Sequence, residues 1–138
     1  MNQPYFLLFI QLLLTVTLSL AQKNCVQIYN ELGPGVKLTL HCQSADDDLG
    51  WHTISAGQIY GFSFGERIIG KTLFWCRFQW NGLCRYFDVY KSGRDRCLYC
   101  SDKCYCYWYI RPNGPYWHYK LPFGWNETRF DWNPDPCK

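Results

Sequence analysis

The sequence predicts an all-β protein, namely a single antiparallel β-sandwich of about eight short strands stapled by disulfides. Three observations lead to this prediction. Apolar residues recur at every second position through much of the chain, turn-forming residues separate these segments at short intervals, and nine cysteines occur in 138 residues. Such alternation indicates half-buried strands, and many short strands separated by turns are typical of sandwiches and barrels.

The clearest strand is residues 72–80, where four alternating apolar side chains are predicted to face the core: Phe74, Cys76, Phe78 and Trp80. Asn81-Gly82 follows and predicts a hairpin with a turn of the primed type. Further strands are predicted at 26–29, 36–42, 51–54, 59–64, 84–90, 104–111 and 116–121. The proline-containing tail after Pro122 is predicted to be irregular chain that is anchored by Cys137.

Residues 1–21 have the pattern of a secretory signal peptide. The apolar run ends in Ser19-Leu20-Ala21, which places small residues at the two positions that signal peptidase reads. The run is short for a bilayer crossing and polar residues follow at once, which favours a cleaved signal over an uncleaved anchor. We therefore expect a secreted, extracellular protein whose single domain spans 22–138, without direct membrane insertion.

All nine cysteines lie beyond the predicted signal. In an oxidising compartment, this density indicates a disulfide framework. Because nine is odd, at least one thiol either stays free or pairs with another chain. Four cysteines also cluster with spacing that suits a zinc site, but secretion favours their oxidation, so we expect no metal or other cofactor. The clustered residues are Cys97, Cys100, Cys104 and Cys106.

Charge and residue supply argue against several functions. The net charge of +3 is scattered and forms no basic stripe, which disfavours nucleic-acid binding and membrane-active peptides. Asp46-Asp47-Asp48 is a contiguous run, whereas calcium loops alternate their carboxylates. The chain has three histidines, no G-x-S-x-G elbow and few glutamates, so we expect no catalytic residues and no enzymatic activity.

Aromatic residues make up 20% of the chain. Some of them could form a stacking platform for sugars, although aromatic residues serve protein cores and interfaces equally well. The candidates are Trp108, Tyr109, Tyr116, Trp117 and Tyr119. Asn126-Glu127-Thr128 is a glycosylation sequon in the predicted irregular tail, so Asn126 is predicted to carry a glycan.

Several motifs together carry a family resemblance: His41-Cys42, Asp46-Asp47-Asp48-Leu49-Gly50, Thr72-Leu73-Phe74-Trp75-Cys76, Phe87-Asp88-Val89-Tyr90 and Cys106-x-Trp108. Over residues 26–114, the chain resembles the plant self-incompatibility S-protein homologue family. The resemblance implies a small secreted plant protein with a β-sandwich fold. It also implies common cysteines at Cys42, Cys76, Cys106 and one of Cys97, Cys100 or Cys104, which we expect to pair as Cys42–Cys106 and Cys76–Cys97.

Founding members of that family are pistil ligands that a pollen membrane protein recognises. The resemblance therefore implies a signalling ligand recognised by a cell-surface membrane receptor, and loops are where such recognition concentrates. We nominate Asp46, Asp47 and Asp48, and the charged segment with Lys91, Arg94, Asp95 and Arg96. The aspartates have an alternative role in shaping their own loop. Alternative functions are a cell-wall carbohydrate-binding protein and a cysteine-rich defence protein.

Overall fold

The computed structural model describes residues 3–20, 23–65, 70–94, 104–134 and 137, without the side chains of 16–20, 104 and 120. This part of the chain forms one helix and nine strands, which confirms the predicted all-β class. The helix is α1 (Gln3–Leu20). The strands are β1 (Lys23–Asn30), β2 (Leu38–Gln43), β3 (Asp48–Ile54), β4 (Ile59–Gly65), β5 (Leu73–Trp80), β6 (Leu83–Lys91), β7 (Cys104–Arg111), β8 (Gly114–Leu121) and β9 (Gly124–Arg129).

The strands build two sheets, with orders β4-β1-β7-β8-β9 and β3-β2-β5-β6. Neighbouring strands are antiparallel except for β1 and β7, which run parallel. The prediction of a purely antiparallel sandwich is therefore wrong at this one pair. Hairpin turns specify antiparallel pairing of consecutive strands, whereas β1 and β7 are distant in sequence and no local turn sets their relative direction.

The two sheets pack against each other around an aromatic core. All four side chains predicted to face the core from β5 are buried, which confirms that interpretation of the alternation. The Phe87 and Trp108 rings pack edge to face, with centroids 4.8 Å apart. The buried Trp108 Nε1 donates a hydrogen bond of 2.7 Å to the Val89 carbonyl on the opposite sheet. This bond satisfies the one polar atom of an otherwise apolar side chain.

Two glycine-containing turns position the strands of the hairpins. Asn81 and Gly82 have φ values of 46° and 75°, which confirms the primed turn between β5 and β6. Gly114 has a φ of 147°, and a Cβ at this position would lie 2.5 Å from the Phe130 carbonyl oxygen. Only glycine allows this close approach, through which the Phe130 amide donates to the Pro115 carbonyl at 2.9 Å.

The tail departs from its prediction as irregular chain, because it contains β9. This strand pairs antiparallel with β8 and forms an edge of the five-stranded sheet. Every residue of β9 is exposed, so the strand has no apolar alternation that the sequence could reveal. Its pairing rests on backbone hydrogen bonds that any sequence without proline can make.

Two disulfides lie in the described residues, Cys42–Cys76 and Cys84–Cys137. Cys137 therefore anchors the tail, as predicted. The expected pairs Cys42–Cys106 and Cys76–Cys97 are wrong, because Cys42 and Cys76 lie directly opposite each other on β2 and β5, with Cα atoms 4.0 Å apart. Cys106 is a buried free thiol on the other sheet, Cys25 is a half-buried one, and Cys97 lies outside the described residues.

Helix α1 covers most of the predicted signal segment. Its described side chains, those of residues 3–15, are all exposed. In the described part of the chain, no helix combines the length and hydropathy needed to span a membrane. The cleavage after residue 21 and the domain limits of 22–138 stay predictions.

Candidate functional site

The sandwich has two ends that differ in their connections. We call one the aspartate end; it consists of the described connecting residues 44–47, 70–72, 92–94 and 122–123. We call the other the asparagine end, after the buried Asn30 at its centre; it consists of 31–37, 55–58, 81–82 and 112–113.

The aspartates and the described residues of the charged segment, Lys91 and Arg94, lie at the aspartate end. The strand registers place Gln43 opposite Trp75 and Leu73 opposite Lys91, so the end of β2, the start of β5 and the end of β6 lie side by side. Residues 70–72 join this group, because the Thr72 amide donates to Ser92 Oγ at 2.8 Å. The sequence analysis nominated the two segments for recognition separately, because recognition concentrates in loops. The order of the strands places their described residues at the same end of the sandwich.

Residues 44–48, which we call the aspartate loop, are held in place by side chains of the loop itself. Ser44 Oγ accepts hydrogen bonds from the Asp46 and Asp47 amides at 3.4 and 3.1 Å. The Asp48 carboxylate contacts His41 Nε2 and accepts the Gly50 amide at 2.9 Å. These two bonds, that of His41 first, hold the pKa of Asp48 below its ordinary value. Asp48 therefore shapes the loop, while Asp46 and Asp47 are exposed at its tip.

A cavity of about 250 Å³ adjoins this loop. Its walls come from the aspartate loop, the end of β4, residues 71–72 and the start of β5, and the lining residues include Asp46, Asp47 and Lys71. Acidic and basic groups therefore occur together at this end. Such a mixed, concave surface suits contact with a partner that is itself charged.

In the second nominated segment, the charged segment, the described residues Lys91 and Arg94 have different surroundings. Lys91 is exposed at the end of β6. Arg94 instead folds back over the core edge, with its guanidinium 5.3, 5.5 and 5.6 Å from the ring centroids of Phe87, Trp108 and Phe130. It also donates to the Asp88 carbonyl at 2.6 Å. Arg94 thus has a packing role, and the other nominated residues, Asp95 and Arg96, lie outside the described residues.

The predicted aromatic platform is split between the two faces of its sheet. Trp108 is fully buried and Trp117 packs against the core, whereas Tyr109 lies on the outer face. There it joins aromatic side chains from distant strands in a cleft that we call the aromatic groove, lined by Tyr29, Tyr107, Tyr109, His118 and Trp125. The platform predicted from sequence lacked four of these residues, namely Tyr29, Tyr107, His118 and Trp125. The alternation of Tyr29 with the buried residues of β1 is the signal that could have placed it on an outer face.

An ion-pair cluster lies beside the aromatic groove. Arg111 Nε is 2.8 Å from Glu31 Oε2, and its two terminal nitrogens donate to the Glu127 carboxylate at 3.2 and 3.1 Å. His118 Nε2 lies 2.8 Å from the same carboxylate. The Arg111 hydrogen bonds are the main reason that the pKa of Glu127 lies below its ordinary value, and they raise that of Arg111.

The remaining predicted sites are the glycosylation site at Asn126 and the cysteine cluster. Asn126 is exposed on edge strand β9 and not in a loop as predicted; its glycosylation stays a prediction. No three histidine, cysteine, aspartate or glutamate side chains are grouped for metal binding in the described part of the chain. Cys97 and Cys100 of the cysteine cluster lie outside that part, and the Cys104 side chain is not described.

Comparison with known proteins gives one family. Residues 25–132 match the family described as "Plant self-incompatibility protein S1". Among curated proteins of Arabidopsis thaliana, the chain is 44% identical to S-protein homolog 2 over 98 residues, which span 67% of this chain and 58% of that protein. It is 39% identical to S-protein homolog 3 over 78% of this chain and 71% of the relative. For S-protein homolog 4 the identity is 38%, over 80% and 73%.

The match covers both sheets, from β1 to the residues just after β9. It also includes both nominated segments and the disulfide-bonded Cys42 and Cys76. On this match, the chain belongs to the plant self-incompatibility protein S1 family, the S-protein homologues.

Proposed function

We propose that this protein is a secreted, non-enzymatic signalling ligand and that a membrane receptor protein on plant cells recognises its aspartate end. The observation that carries the proposal is that the aspartates and the described part of the charged segment lie at the same end of the sandwich. Family membership supports the ligand role. The N-terminal signal pattern and the disulfides support secretion.

The aspartate loop is suited to recognition because its shape is set before any partner binds. Ser44 and Asp48 use their side chains to fix the loop backbone, and this leaves the Asp46 and Asp47 side chains exposed. A preformed loop loses less conformational entropy on binding than a loop that must order itself. Exposed carboxylates on such a loop also steer the approach of a basic partner surface.

The odd cysteine count leaves room for a disulfide between chains. Of the two free thiols in the described residues, Cys106 is buried and Cys25 is half-buried on β1. A bond to another chain that used one of these two would therefore form at Cys25.

Saturable binding to living plant cells tests the proposal. The full chain is expressed in plant cells, purified as those cells process it, labelled, and titrated onto suspension-cultured plant cells that retain their walls. The test variant is Asp47→Lys. The matched control is Asp131→Lys, which makes the same charge change at an exposed acid beyond the end of β9, bonded to Arg129. We expect Asp47→Lys to weaken binding about tenfold, mainly through the association rate, and Asp131→Lys to retain wild-type affinity.

Pretreatment of the cells identifies the class of receptor. Mild proteolysis of the cell surface should abolish the saturable binding, because the proposed partner is a protein. Binding that survives proteolysis but disappears after enzymatic removal of wall polysaccharides would overturn the proposal in favour of a carbohydrate-binding protein. Leakage from lipid vesicles at similar concentrations would instead indicate a defence protein.

A further inference from the structure

The outer face of the five-stranded sheet carries a second surface with the properties of a binding site. The aromatic groove has a volume of about 410 Å³ and takes its walls from β1, β7, β8 and β9. This volume lies within the range usual for sites that take small ligands. Because the groove stands on four hydrogen-bonded strands, its side chains have a rigid support.

The rings of the groove are ordered with respect to one another. Tyr29, Tyr109 and His118 stack in a row across three strands, with centroid distances of 4.3 Å between the tyrosines and 3.7 Å from Tyr109 to His118. Tyr107 and Trp125 meet at 80° with centroids 6.0 Å apart, and so form a corner. Trp125 is 62% exposed, which leaves much of its ring surface open to a ligand.

The ion-pair cluster adjoins the groove through His118, whose Nε2 lies 2.8 Å from Glu127 Oε2, and it gives this rim of the groove negative charge. One guanidinium, that of Arg111, faces two carboxylates, those of Glu31 and Glu127. Three of the Arg111 donors are already used by these carboxylates. Each carboxylate oxygen accepts more than one hydrogen bond, so the rim offers a ligand mainly acceptor positions.

We propose that the aromatic groove binds a neutral oligosaccharide. The C–H face of a sugar ring packs on an aromatic ring, and its hydroxyl groups donate to carboxylates at the rim. A proline-rich peptide also packs on aromatic rings, but its proline carbonyls cannot donate to the Glu31 and Glu127 carboxylates, whereas sugar hydroxyls can. An anionic sugar such as a uronate would be repelled by the two carboxylates. The groove lies on a sheet face, apart from the aspartate end, so this inference does not depend on the proposed receptor.

Titration with defined oligosaccharides tests this site. The full chain, purified from plant cells and freed of any N-glycan, is titrated by calorimetry with a β-1,4-linked glucose hexamer and with other neutral plant hexasaccharides. The test variant is Trp125→Ala. The matched control is Trp51→Ala, which removes another exposed tryptophan from β3 of the other sheet. Because both rings are exposed, neither substitution opens a cavity in the core.

We expect at least one neutral hexasaccharide to bind, with affinity about 2- to 10-fold weaker for Trp125→Ala and unchanged for Trp51→Ala. A galacturonate hexamer and a proline-rich decapeptide should not bind. The proposal is overturned if no neutral sugar binds, if Trp125→Ala binds as the wild type does, or if the galacturonate or the peptide is preferred. Concentration-dependent dimerisation that Trp125→Ala abolishes would also overturn it, since a second copy would then occupy the groove.

Discussion

The two ends of the sandwich are built by different means. At the asparagine end, Asn30 is fully buried, and its side-chain amide makes three hydrogen bonds that join the β1–β2 connection to the end of β3: Nδ2 donates to the carbonyls of Val36 and Ile54 at 2.8 and 3.0 Å, and Oδ1 accepts the Leu32 amide at 3.0 Å. At the aspartate end, the Asp46 and Asp47 side chains lie at the surface, on a loop capped by Ser44.

Because of this difference in hydrogen bonding and burial, we expect the two ends to have different roles. A buried polar group with all its partners fixes the connections around it and tolerates little change, because each lost bond leaves an unsatisfied group in a medium of low dielectric. An exposed loop capped by short side chains keeps its shape while its outward groups vary. The asparagine end therefore maintains the fold, and the aspartate end is available for recognition.

The largest effect should come from Asn30→Ala. The substitution removes three side-chain hydrogen bonds, two of them buried and one part-buried, at a fully buried residue. We therefore expect the free energy of unfolding to fall by about 3–5 kcal/mol. Chemical denaturation monitored by tryptophan fluorescence measures it. Asn113→Ala is the matched control, because the Asn113 side-chain amide donates to the Tyr116 hydroxyl at 2.8 Å in an exposed hydrogen bond. If Asn30→Ala and Asn113→Ala lowered the free energy of unfolding equally, Asn30 would have no special role in maintaining the fold.

The next largest effect should come from the disulfide at the asparagine end. Replacing both Cys84 and Cys137 by alanine releases the tail without creating a free thiol, and we expect a loss of about 2–4 kcal/mol. Cys25→Ala removes a thiol that forms no disulfide and serves as the control. Thermal unfolding of the three proteins gives the comparison, and a melting temperature unchanged in the double variant would contradict it.

A smaller effect is expected within the nominated segment at the aspartate end. Arg94→Ala removes a guanidinium from three aromatic rings and its bond to the Asp88 carbonyl, so it should destabilise the protein by about 1–2 kcal/mol. Lys91→Ala, at an exposed position of the same segment, should change stability by less than about 0.5 kcal/mol. Denaturation curves for the two variants should therefore differ, and identical curves would show that Arg94 is a surface residue like Lys91.

The smallest effect concerns pH and the aspartate loop. Because the folded pKa of Asp48 lies below its ordinary value of 3.8, the carboxylate adds stability that is fully present above that pH and is lost as the pH falls through the lower folded value. Asp48→Asn should flatten this part of the stability curve, and so should His41→Ala, which removes the main cause. Melting temperatures measured across the acid range test it; a curve as steep as that of the wild type in both variants would contradict it.

Sequence reasoning was most successful where a local pattern determines the structure. The alternation of β5 correctly identified its core face, and Asn81-Gly82 correctly identified the primed turn, because side-chain direction and turn type depend on neighbouring residues. It was wrong where distant segments meet. β9 has no alternation, the parallel pairing of β1 with β7 has no local signal, and the Cys42–Cys76 bond depends on strand register, which places their Cα atoms 4.0 Å apart.

For the candidate binding surfaces, too, the sequence predicted local features but not which distant residues lie together. The aspartates and the charged segment were nominated from sequence because loops carry recognition, but the sequence could not distinguish Arg94, which packs on rings, from Lys91, which is exposed. The aromatic groove was only partly foreseen, since Tyr109 was among the candidates while Tyr29 and Trp125 were not. Their grouping depends on strand order, which places β1 beside β7.

The sequence by itself determined the all-β class, the family, the core positions along individual strands and the residues eligible for recognition, because alternation, turn chemistry and motifs are local properties of the chain. The tertiary structure alone decided which cysteines pair, which end gathers the nominated segments and which aromatic rings share a groove. These depend on the order and register of strands that are far apart in the chain, and that order is set by how two whole sheets bury their apolar faces together.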